Sequence, residues 1–367
     1  VLEALRDGGV VENERRRLAA KAFQHTAVYD THIAGYLRGG EDAFPETLTI
    51  ALEKRQDLRY GENPHQRGAL YVQTPSPKSG ATLAGAKQLH GKPLSFNNIL
   101  DVDAALAAVK DFAATAVVVV KHGSPCGLAC ADTLVEAYRK AHAGDPLSAF
   151  GGCVGLNRVV DAETATEIAQ VFYEDIIAPG YTDDALRILQ RKRDLRLLSV
   201  DFAGLDDTAL QISPTLGLDF KRVSGGFLIQ TPDAVQEDQE SYRVVTDREP
   251  TLDELTDLLF AWRAVKHVRS NAIVLARHLA LVGVGGGQPS RVDAVEIAAR
   301  KAGERAVGSV LASDAFFPKP DGIEAAARAG VSAIIQPGGS IRDDDVIREA
   351  NKHHLAMILT GYRHFRH

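Results

Sequence analysis

The stretch Val117-Val118-Val119-Val120-Lys121-His122-Gly123-Ser124-Pro125-Cys126-Gly127 decides the fold, because it places two ionisable side chains at the end of a buried strand. Val117 to Val120 form a continuous β-branched run, which is typical of a strand covered on both faces. The glycines and the proline that follow predict a turn into the helical pattern of Thr133 to His142. Lys121 and His122 would then lie at the carboxyl edge of the sheet, where open α/β sheets place their chemistry. The alternative is that Lys121 only extends to solvent and His122 only bonds a turn carbonyl.

The rest of the chain alternates strand and helix patterns. Strands are predicted at Leu48–Leu52, Ala69–Val72, Val117–Val120, Cys153–Leu156, Ile176–Ala178, Leu195–Val200, Arg243–Val245, Ala272–Ala276, Leu279–Val284, Ser309–Ala312, Ala333–Ile335 and Ala356–Leu359. Helices are predicted at Leu134–Ala141, Ala162–Tyr173, Leu252–Lys266, Val292–Ala302, Ile323–Ala329 and Asp343–Ala350. This alternation predicts βαβ units, a largely parallel sheet and an α/β fold.

Two α/β units follow from the same pattern. Charged sequence with prolines and glycines near residues 204–240 is the predicted boundary. The halves could be distant copies of one unit, although the sequence shows no clear repeat. Residues 1–40 predict helices too short to close a domain, so we expect them to be the end of another module. Val1 stands in place of an initiating Met, which indicates further sequence upstream.

Composition restricts the function. The chain has 367 residues, of which 45% are hydrophobic and 25% charged, enough for two substantial cores. A net charge of −6 without a basic stripe argues against nucleic acid as a partner. No apolar run reaches the roughly 20 residues that span a bilayer, and no signal peptide opens the chain. We therefore expect a cytoplasmic protein that acts on small molecules.

The three cysteines, Cys126, Cys130 and Cys153, cannot form a complete disulfide framework. Pro125 and the two cysteines after it approach the Pro-Cys-x-x-Cys signature of zinc deaminases, but their spacing is one residue too long and no His-x-Glu accompanies them. A zinc hydrolase therefore receives little support. We expect Cys126 and Cys130 to be small buried apolar residues.

Several predicted strands end in loops that could bind a ligand. Gly283–Arg291 is rich in glycine, but its spacing does not match a dinucleotide fingerprint, and Ser290 could simply cap the following helix. Asn271 would enter a buried strand and must find hydrogen-bond partners there. The aromatic pair in Ser313–Pro318 could stack on a flat ligand or pack ordinarily. The terminal Arg363–His367 could be a frayed basic tail.

Taken together, these motifs resemble the family of bifunctional purine biosynthesis proteins, and in particular its transformylase part, phosphoribosylaminoimidazolecarboxamide (AICAR) formyltransferase. The motifs are Leu58-Arg59-Tyr60-Gly61-Glu62-Asn63-Pro64-His65-Gln66, Val120-Lys121-His122, Pro125-Cys126-Gly127, Ser148-Ala149-Phe150-Gly151, Ser270-Asn271-Ala272, Gly287-Gln288-Pro289-Ser290-Arg291, Ser313-Asp314-Ala315-Phe316-Phe317-Pro318 with Asp321-Gly322, and Arg363-His364-Phe365-Arg366-His367. They occur in the family's order from about residue 45 to the end. Residues 1–44 resemble only the final helices of the preceding IMP cyclohydrolase module.

The resemblance implies two cytidine-deaminase-like α/β/α subdomains without zinc, at 45–225 and 226–367, after the helical stub of 1–44. It implies a homodimer with active sites at the subunit interface. The reaction would move a formyl group from 10-formyltetrahydrofolate to the 5-amino group of AICAR, and the product, FAICAR, would be closed to IMP by the cyclohydrolase module. We expect residues 1–367 alone to release FAICAR without closing it.

The resemblance also assigns roles to residues. His122 would be the general base, Lys121 would stabilise the oxyanion or protonate the departing folate nitrogen, and Asn271 would hold the formyl oxygen or assist His122. This assignment suits the chemistry, because a conjugated amine is a poor nucleophile and imidazole is the side-chain base that works near neutral pH. The implied nucleotide-site residues are Arg59, Tyr60, Asn98, Gly151, Glu174, Arg363, Phe365 and His367. The implied folate-site residues are Arg291, Val292, Phe316 and Asp321.

Two departures from the family pattern and two rival functions stay open. Gly123-Ser124 replaces a more usual Ala-Asn or Ala-Ser, and Pro289 could alter how Arg291 is presented to folate. A non-catalytic nucleotide-binding dimer scaffold would need Arg59 and Arg363 but not Lys121, His122 and Asn271. A zinc deaminase-like hydrolase would require bound zinc.

Overall fold

The structure is a computed structural model, and it describes residues 2–6, 8–38, 43–74, 82–202, 218–235 and 237–367. The described helices are α1 Leu2–Arg6, α2 Glu12–Leu37, α3 Phe96–Lys110, α4 Leu134–Gly144, α5 Pro146–Ala149, α6 Ala162–Ile168, α7 Asp183–Leu189, α8 Leu252–Val265, α9 Arg291–Ala302, α10 Asp321–Arg328 and α11 Asp343–Lys352. The described strands are β1 Leu52–Leu58, β2 Gly68–Gln73, β3 Lys87–His90, β4 Ala116–Lys121, β5 Ser124–Cys130, β6 Cys153–Leu156, β7 Asp175–Ala178, β8 Arg196–Ser199, β9 Asp219–Val223, β10 Gly226–Gln230, β11 Arg243–Val244, β12 Ile273–Arg277, β13 Ala280–Gly285, β14 Val310–Ser313, β15 Ala333–Gln336 and β16 Ala356–Leu359.

The chain divides into two compact units. The smaller comprises residues 1–57, 69–79 and 206–234, and its described part holds α1, α2, the β9–β10 hairpin and most of the β1–β2 pair. No residue of α2 is buried. The larger unit comprises residues 58–68, 80–205 and 235–367 and contains every predicted site residue. Within the predicted boundary at 204–240, residues 204–217 and 236 lie outside the described residues.

The larger unit is built on a mixed sheet, whose strand order in the described chain is β11-β16-β15-β14-β12-β13-β5-β4-β6-β7-β8-β3. The runs β6-β7-β8 and β14-β15-β16 are parallel. The pairs around β4, β5, β12 and β13 are antiparallel. The α/β class is confirmed, but the prediction of a largely parallel sheet is wrong.

The cause of this error lies in the opening stretch of the sequence. Pro125, Cys126 and Gly127 do not turn the chain but run inside β5, which pairs with β4. The turn is confined to His122 and Gly123, whose φ angles are +52° and +73°. Two successive residues with positive φ match the right-handed twist of a two-residue hairpin. A hairpin therefore precedes α4, where the sequence predicted a direct turn into the helix.

The order of elements is repeated within the larger unit. The series α3-β4-β5-α4-β6-α6-β7-α7-β8 corresponds to α8-β12-β13-α9-β14-α10-β15-α11-β16, with the same pairing in each half. The first helix of each series begins with a capping box, on Ser95 in α3 and on Thr251 in α8. The two halves join where Ala129 of β5 pairs with Ala280 of β13. The repeat lies in the order and pairing of the elements, whereas the sequence alone showed no clear repeat.

Because neighbouring strands run in defined directions, the end of β4 lies at the same edge of the sheet as the start of β12. Val120, near the end of β4, pairs with Cys153 at the start of β6, and Ile273 at the start of β12 pairs with Ser313 at the end of β14. The same edge receives the starts of β7 and β8 and the ends of β13, β15 and β16. We call it the site edge, because all the predicted site residues that adjoin these strands lie along it.

The core explains the β-branched run of β4. Val118 and Val120 belong to one apolar cluster and Val117 and Val119 to another, so this strand is covered on both faces as predicted.

Among the described helices, none is both long and apolar enough to cross a membrane.

Candidate active site

Lys121 and His122 occupy the β4–β5 turn at the site edge. The Lys121 ammonium donates hydrogen bonds to the carbonyl oxygens of Phe150 and Gly151, each at 2.8 Å. Gly151 has a φ of +68°, and a methyl group added there would lie 3.0 Å from Lys121 Nζ. The ammonium is therefore held by two backbone carbonyls rather than extended to solvent, and glycine at 151 adopts the positive φ without crowding it. His122 is exposed at the tip of the turn.

Asp101 of α3 lies beneath this turn. Its Oδ1 accepts a hydrogen bond of 2.6 Å from the Gly123 amide. Burial raises the pKa of Asp101, and the Gly123 amide, the charge of His122 and the His122 amide oppose that shift. A methyl group at Gly123 would lie 3.5 Å from Arg269 Nη2, so the turn faces the segment that leads to Asn271.

Asn271 is held on every polar atom of its side chain. Its Nδ2 donates to the carbonyl oxygens of Gln288 at 2.9 Å and Pro289 at 3.1 Å, and its Oδ1 accepts a 2.7 Å bond from Arg291 Nη2. The expectation that a strand-entering amide must find partners is thus confirmed. Pro289, which departs from the family pattern, contributes one of them through its carbonyl oxygen.

Arg291 belongs to the buried side of this network. Its Nη1 donates to Ser313 Oγ at 2.7 Å and to Asp314 Oδ1 at 2.5 Å, and only 7% of the residue is exposed. Asp314 is fully buried, and its other carboxylate oxygen accepts a bond from the Ser270 hydroxyl. Ser290 caps α9 as predicted, with its hydroxyl accepting from the Asp293 amide. The cap and the ion pair fix the start of α9 against the end of β14.

An open cavity of about 390 Å³ adjoins this network. Seven predicted site residues line it: Asn271, Arg291, Val292, Phe316, Asp321, Arg363 and Phe365. The two aromatic residues after β14 lie in different environments: Phe317 is fully buried in the core, while Phe316 is half-buried and lines the cavity. The volume lies within the range of roughly 300–1,000 Å³ that small-molecule sites occupy.

The carboxyl-terminal segment is anchored rather than frayed. His364 is 2% exposed, its Nε2 bonds Glu237 Oε1 at 2.7 Å, and its ring lies 4.9 Å from that of Trp262. The Arg363 guanidinium lies over the Phe365 ring at 4.5 Å, and the His367 ring meets Phe365 edge-on at 5.4 Å. His364 points to the buried side of the segment, while Arg363 and Phe365 lie on the other side. Side chains on the outer side of the segment thereby reach the cavity.

Asn98 and Glu174 belong to a neighbouring polar cluster. Asn98 Nδ2 donates to Asp175 Oδ2 at 2.8 Å, and Arg196 Nη1 donates to Glu174 Oε2 at 2.8 Å and lies 3.6 Å from Asp175 Oδ1. Burial raises the pKa of Asp175 to about 7, although the charge of Arg196 and the hydrogen bond from Asn98 oppose the shift. Asp175 Oδ1 is buried and has no hydrogen-bond partner among the described residues. Asn98 also closes the capping box of α3 with Ser95.

Arg59 and Tyr60 form a local pair ahead of α3. Arg59 Nη2 donates to the Tyr60 hydroxyl at 2.8 Å, and its guanidinium lies 4.6 Å from the centre of that ring. Their segment reaches the start of α3 through a 3.2 Å bond from Asn97 Nδ2 to the Glu62 carbonyl. No contact in the described residues joins this pair directly to the cavity of Asn271.

Sequence reasoning missed the acidic residues that support these side chains. Asp101, Asp175 and Glu237 lie outside the quoted motifs, and Asp314 lies inside one but received no role. Each is distant in sequence from the groups it holds, so only the fold brings them together. The sequence offered one signal for Asp175, namely that it stands next to Glu174, a predicted site residue.

Cys126 and Cys130 take the structural role expected of them. Cys126, Cys130 and Cys153 are all free and buried, and burial raises the pKa of Cys126 to about 12 and that of Cys130 to about 11. Within the described parts of the chain, no three His, Cys, Asp or Glu side chains are grouped to hold a metal ion.

Comparison with known proteins identifies the family. The model of the AICARFT/IMPCHase bienzyme family matches residues 1–301. The bifunctional purine biosynthesis protein PurH of Anoxybacillus flavithermus is 52% identical over 370 residues, covering 100% of this chain and 70% of that protein. Its counterparts from Halalkalibacterium halodurans and Bacillus cereus strain AH820 are 50% and 49% identical, with the same coverage. The chain thus belongs to the AICARFT/IMPCHase bienzyme family.

Proposed function

We propose that the site edge carries out formyl transfer from 10-formyltetrahydrofolate to the 5-amino group of AICAR, with His122 as the general base. Identity of about 50% along the entire chain, together with the family match, makes the chain an AICAR formyltransferase of purine biosynthesis. The observation that carries the residue-level proposal is the pairing of an exposed His122 with an ammonium fixed one residue away by two carbonyls.

The proton inventory assigns the two side chains different tasks. The folate supplies the formyl group, whose carbon forms a bond to the amine nitrogen while its bond to folate N10 breaks. His122 accepts the proton that the amine loses, which makes the conjugated nitrogen a competent nucleophile. Lys121 stabilises negative charge on the formyl oxygen, in which case the proton on His122 passes to the departing N10, or Lys121 itself returns a proton to that nitrogen. An ammonium has three donors and two are used by Phe150 and Gly151, so the third is directed rather than free to rotate.

The cavity supports a flat, partly charged co-substrate. Phe316 and Val292 offer apolar surface, while Asp321 offers an acceptor for the amino groups of a pterin. Asn271 would hold the formyl oxygen or assist His122, and to hold that oxygen its Nδ2 would exchange the bond to the Gln288 or the Pro289 carbonyl for one to the substrate. Arg291 would act on this site through Asn271, because its observed hydrogen bonds are to protein groups.

The nucleotide would occupy the part of the site edge that extends from Arg363 and Phe365, at the wall of the cavity, towards Asn98 and Gly151. Arg363 provides a planar fork for phosphate or carboxamide oxygens, and Phe365 provides a ring face. Tyr60 with Arg59, Asn98 with Glu174, the Gly151 backbone and His367 complete the proposed substrate set. The raised pKa of the neighbouring Asp175 is consistent with a buried carboxyl group reserved for a polar ligand.

The finer architecture is proposed on the same basis. The repeated element order supports two deaminase-like subdomains at 45–225 and 226–367 that do not use zinc. The absence of buried residues in α2 supports the proposal that residues 1–44 pack against a cyclohydrolase module. We also propose a cytoplasmic homodimer with interfacial active sites, as the family resemblance implies.

The decisive experiment measures tetrahydrofolate release by absorbance when the protein is mixed with AICAR and 10-formyltetrahydrofolate. His122→Ala should lower transfer by about 10²- to 10⁴-fold while AICAR still binds. Lys121→Ala should be similarly damaging, and the double variant should cost less than the product of the two single effects. His278→Ala is the matched control, since His278 takes the equivalent place in the β12–β13 turn at the opposite edge. Near-normal turnover of His122→Ala would remove His122 from the mechanism.

A further inference from the structure

The internal repeat places the same acid under two hairpin turns. In the first half, Gly123 N donates to Asp101 Oδ1 at 2.6 Å across 22 residues of sequence. In the second half, Leu279 N donates to Asp257 Oδ1 at 2.7 Å across the same separation of 22 residues, and His278 N donates to Oδ2 at 2.8 Å. Both acids therefore serve as acceptors for the backbone amides of a hairpin turn.

The two turns share their backbone geometry as well. His122 and Gly123 have φ angles of +52° and +73°, and His278 and Leu279 have +54° and +56°. A non-glycine residue with positive φ is held only where its surroundings determine it, and a carboxylate bound to the turn amides provides that determination. In each half, the acid fixes the direction in which the histidine leaves the turn.

The turns differ in where they point. The β4–β5 turn lies at the site edge beside Lys121, Gly151 and Arg269. The β12–β13 turn lies at the opposite edge, since β12 starts at the site edge and runs away from it. The same device therefore supports a proposed catalytic histidine in one half and an uninvolved one in the other.

We infer that Asp101 is a positioning residue for formyl transfer: by holding the backbone of the His122–Gly123 turn from below, it aims the imidazole of His122 at the reacting amine. This inference rests on the proposed role of His122. In this role Asp101 acts through its hydrogen bond to the turn rather than by contact with a substrate. The contribution should be large, because a misplacement of about 1 Å at a reacting group can cost about 10²-fold in rate.

The test compares four variants of the full chain: Asp101→Ala, Asp101→Asn, Asp257→Ala and Asp257→Asn. Asp101→Ala should lower kcat by about 10- to 100-fold, whereas Asp257→Ala should leave kcat within about twofold of the parent value. The two alanine variants should lower the melting temperature by similar amounts. Asp101→Asn should restore most of the rate, because an amide oxygen can still accept the Gly123 hydrogen bond. Equal kcat losses in the two alanine variants would show a merely structural role and overturn the inference.

A second measurement separates this inference from the proposed function. Asp101→Ala placed in a His122→Ala background should cause no further loss in kcat, because both act on one transition state. If His122→Ala itself leaves the rate unchanged, the proposed function fails. If His122→Ala is damaging and Asp101→Ala is not, only the positioning role fails. Should Asp101→Ala not accumulate as folded protein, Asp101→Glu replaces it, and moving the acceptor by one methylene should still lower kcat at least tenfold relative to Asp101→Asn.

Discussion

Replacing Arg291 by methionine tests whether this residue acts on folate directly or through Asn271. The change removes the hydrogen bonds to Ser313, Asp314 and Asn271 and leaves the carboxylate of Asp314, which is fully buried, without its cation. Breaking a buried ion pair from one side costs about 3–5 kcal/mol. Since a domain is stable by only about 5–15 kcal/mol in total, we expect a large fall in the urea midpoint.

The kinetic signature should separate the two roles. Because the hydrogen bonds of Arg291 are made to protein groups, we expect it to act by fixing the position of Asn271. Arg291→Met should therefore lower kcat by about 10- to 100-fold and leave the KM for 10-formyltetrahydrofolate within about threefold of the parent value. Tetrahydrofolate release, followed by absorbance below the unfolding transition, measures both constants. Arg248→Met is the matched control, because Arg248 pairs with Glu254 at 2.8 Å next to the start of α8, away from the site edge.

A compensating change makes the energetic argument testable separately. Adding Asp314→Asn to Arg291→Met removes the stranded charge, so the double variant should regain part of the lost stability while kcat stays low. A tenfold rise in the folate KM at unchanged kcat would show that Arg291 binds folate directly. An unchanged urea midpoint would refute the burial argument.

Three further predictions concern the rest of the site edge. Deleting Tyr362–His367 should abolish formyl transfer and weaken AICAR binding measured by calorimetry. In the full chain, Arg363→Lys should also fail to support normal transfer, because the planar fork of the guanidinium is lost. Kinetic constants of the truncated chain equal to those of the full chain would show that the tail is dispensable. Phe316→Ala should raise the folate KM by roughly tenfold, the worth of about 1–1.5 kcal/mol of ring contact, with the AICAR KM unchanged. The pKa of Asp175 is raised to about 7 in the folded protein, so its contribution to the free energy of unfolding is fully present below about pH 4 and is lost as pH rises through 7, by up to about 4 kcal/mol. The urea midpoint of Asp175→Asn should therefore fall less than that of the parent protein between pH 5 and pH 8. Parallel pH profiles of the two midpoints would contradict the raised pKa.

The sequence was informative where local patterns decide the structure. The β-branched run of β4, the strands and helices of the second half and the cap of Ser290 follow from periodicity and capping chemistry, and the structure confirms them. These features depend on residues within a few positions of one another.

The sequence was less informative where pairing at long range decides the structure. Pro125 and Gly127 indicated a turn, yet the antiparallel partner β4 holds both in a strand, and this hairpin converts the predicted parallel sheet into a mixed one. The helix α3, which supplies Asp101 and Asn98, was not predicted, so the support of the His122 turn could not be foreseen. Likewise, the ion pair between Arg291 and Asp314 depends on β14 lying beside β12, and no local signal encodes that order.

The repeat accounts for the way the two halves share one site edge. Because β5 and β13 meet antiparallel at Ala129 and Ala280, the halves present opposite strand ends to the same side of the sheet. The first half contributes the end of β4 with His122, and the second contributes the start of β12 with Asn271. Had the halves joined in parallel, the two equivalent turns would lie together and Asn271 would be on the far edge. The proposed base and the proposed formyl-binding amide therefore lie along the same edge only because the copies are joined in opposite senses, and neither half alone contains both groups.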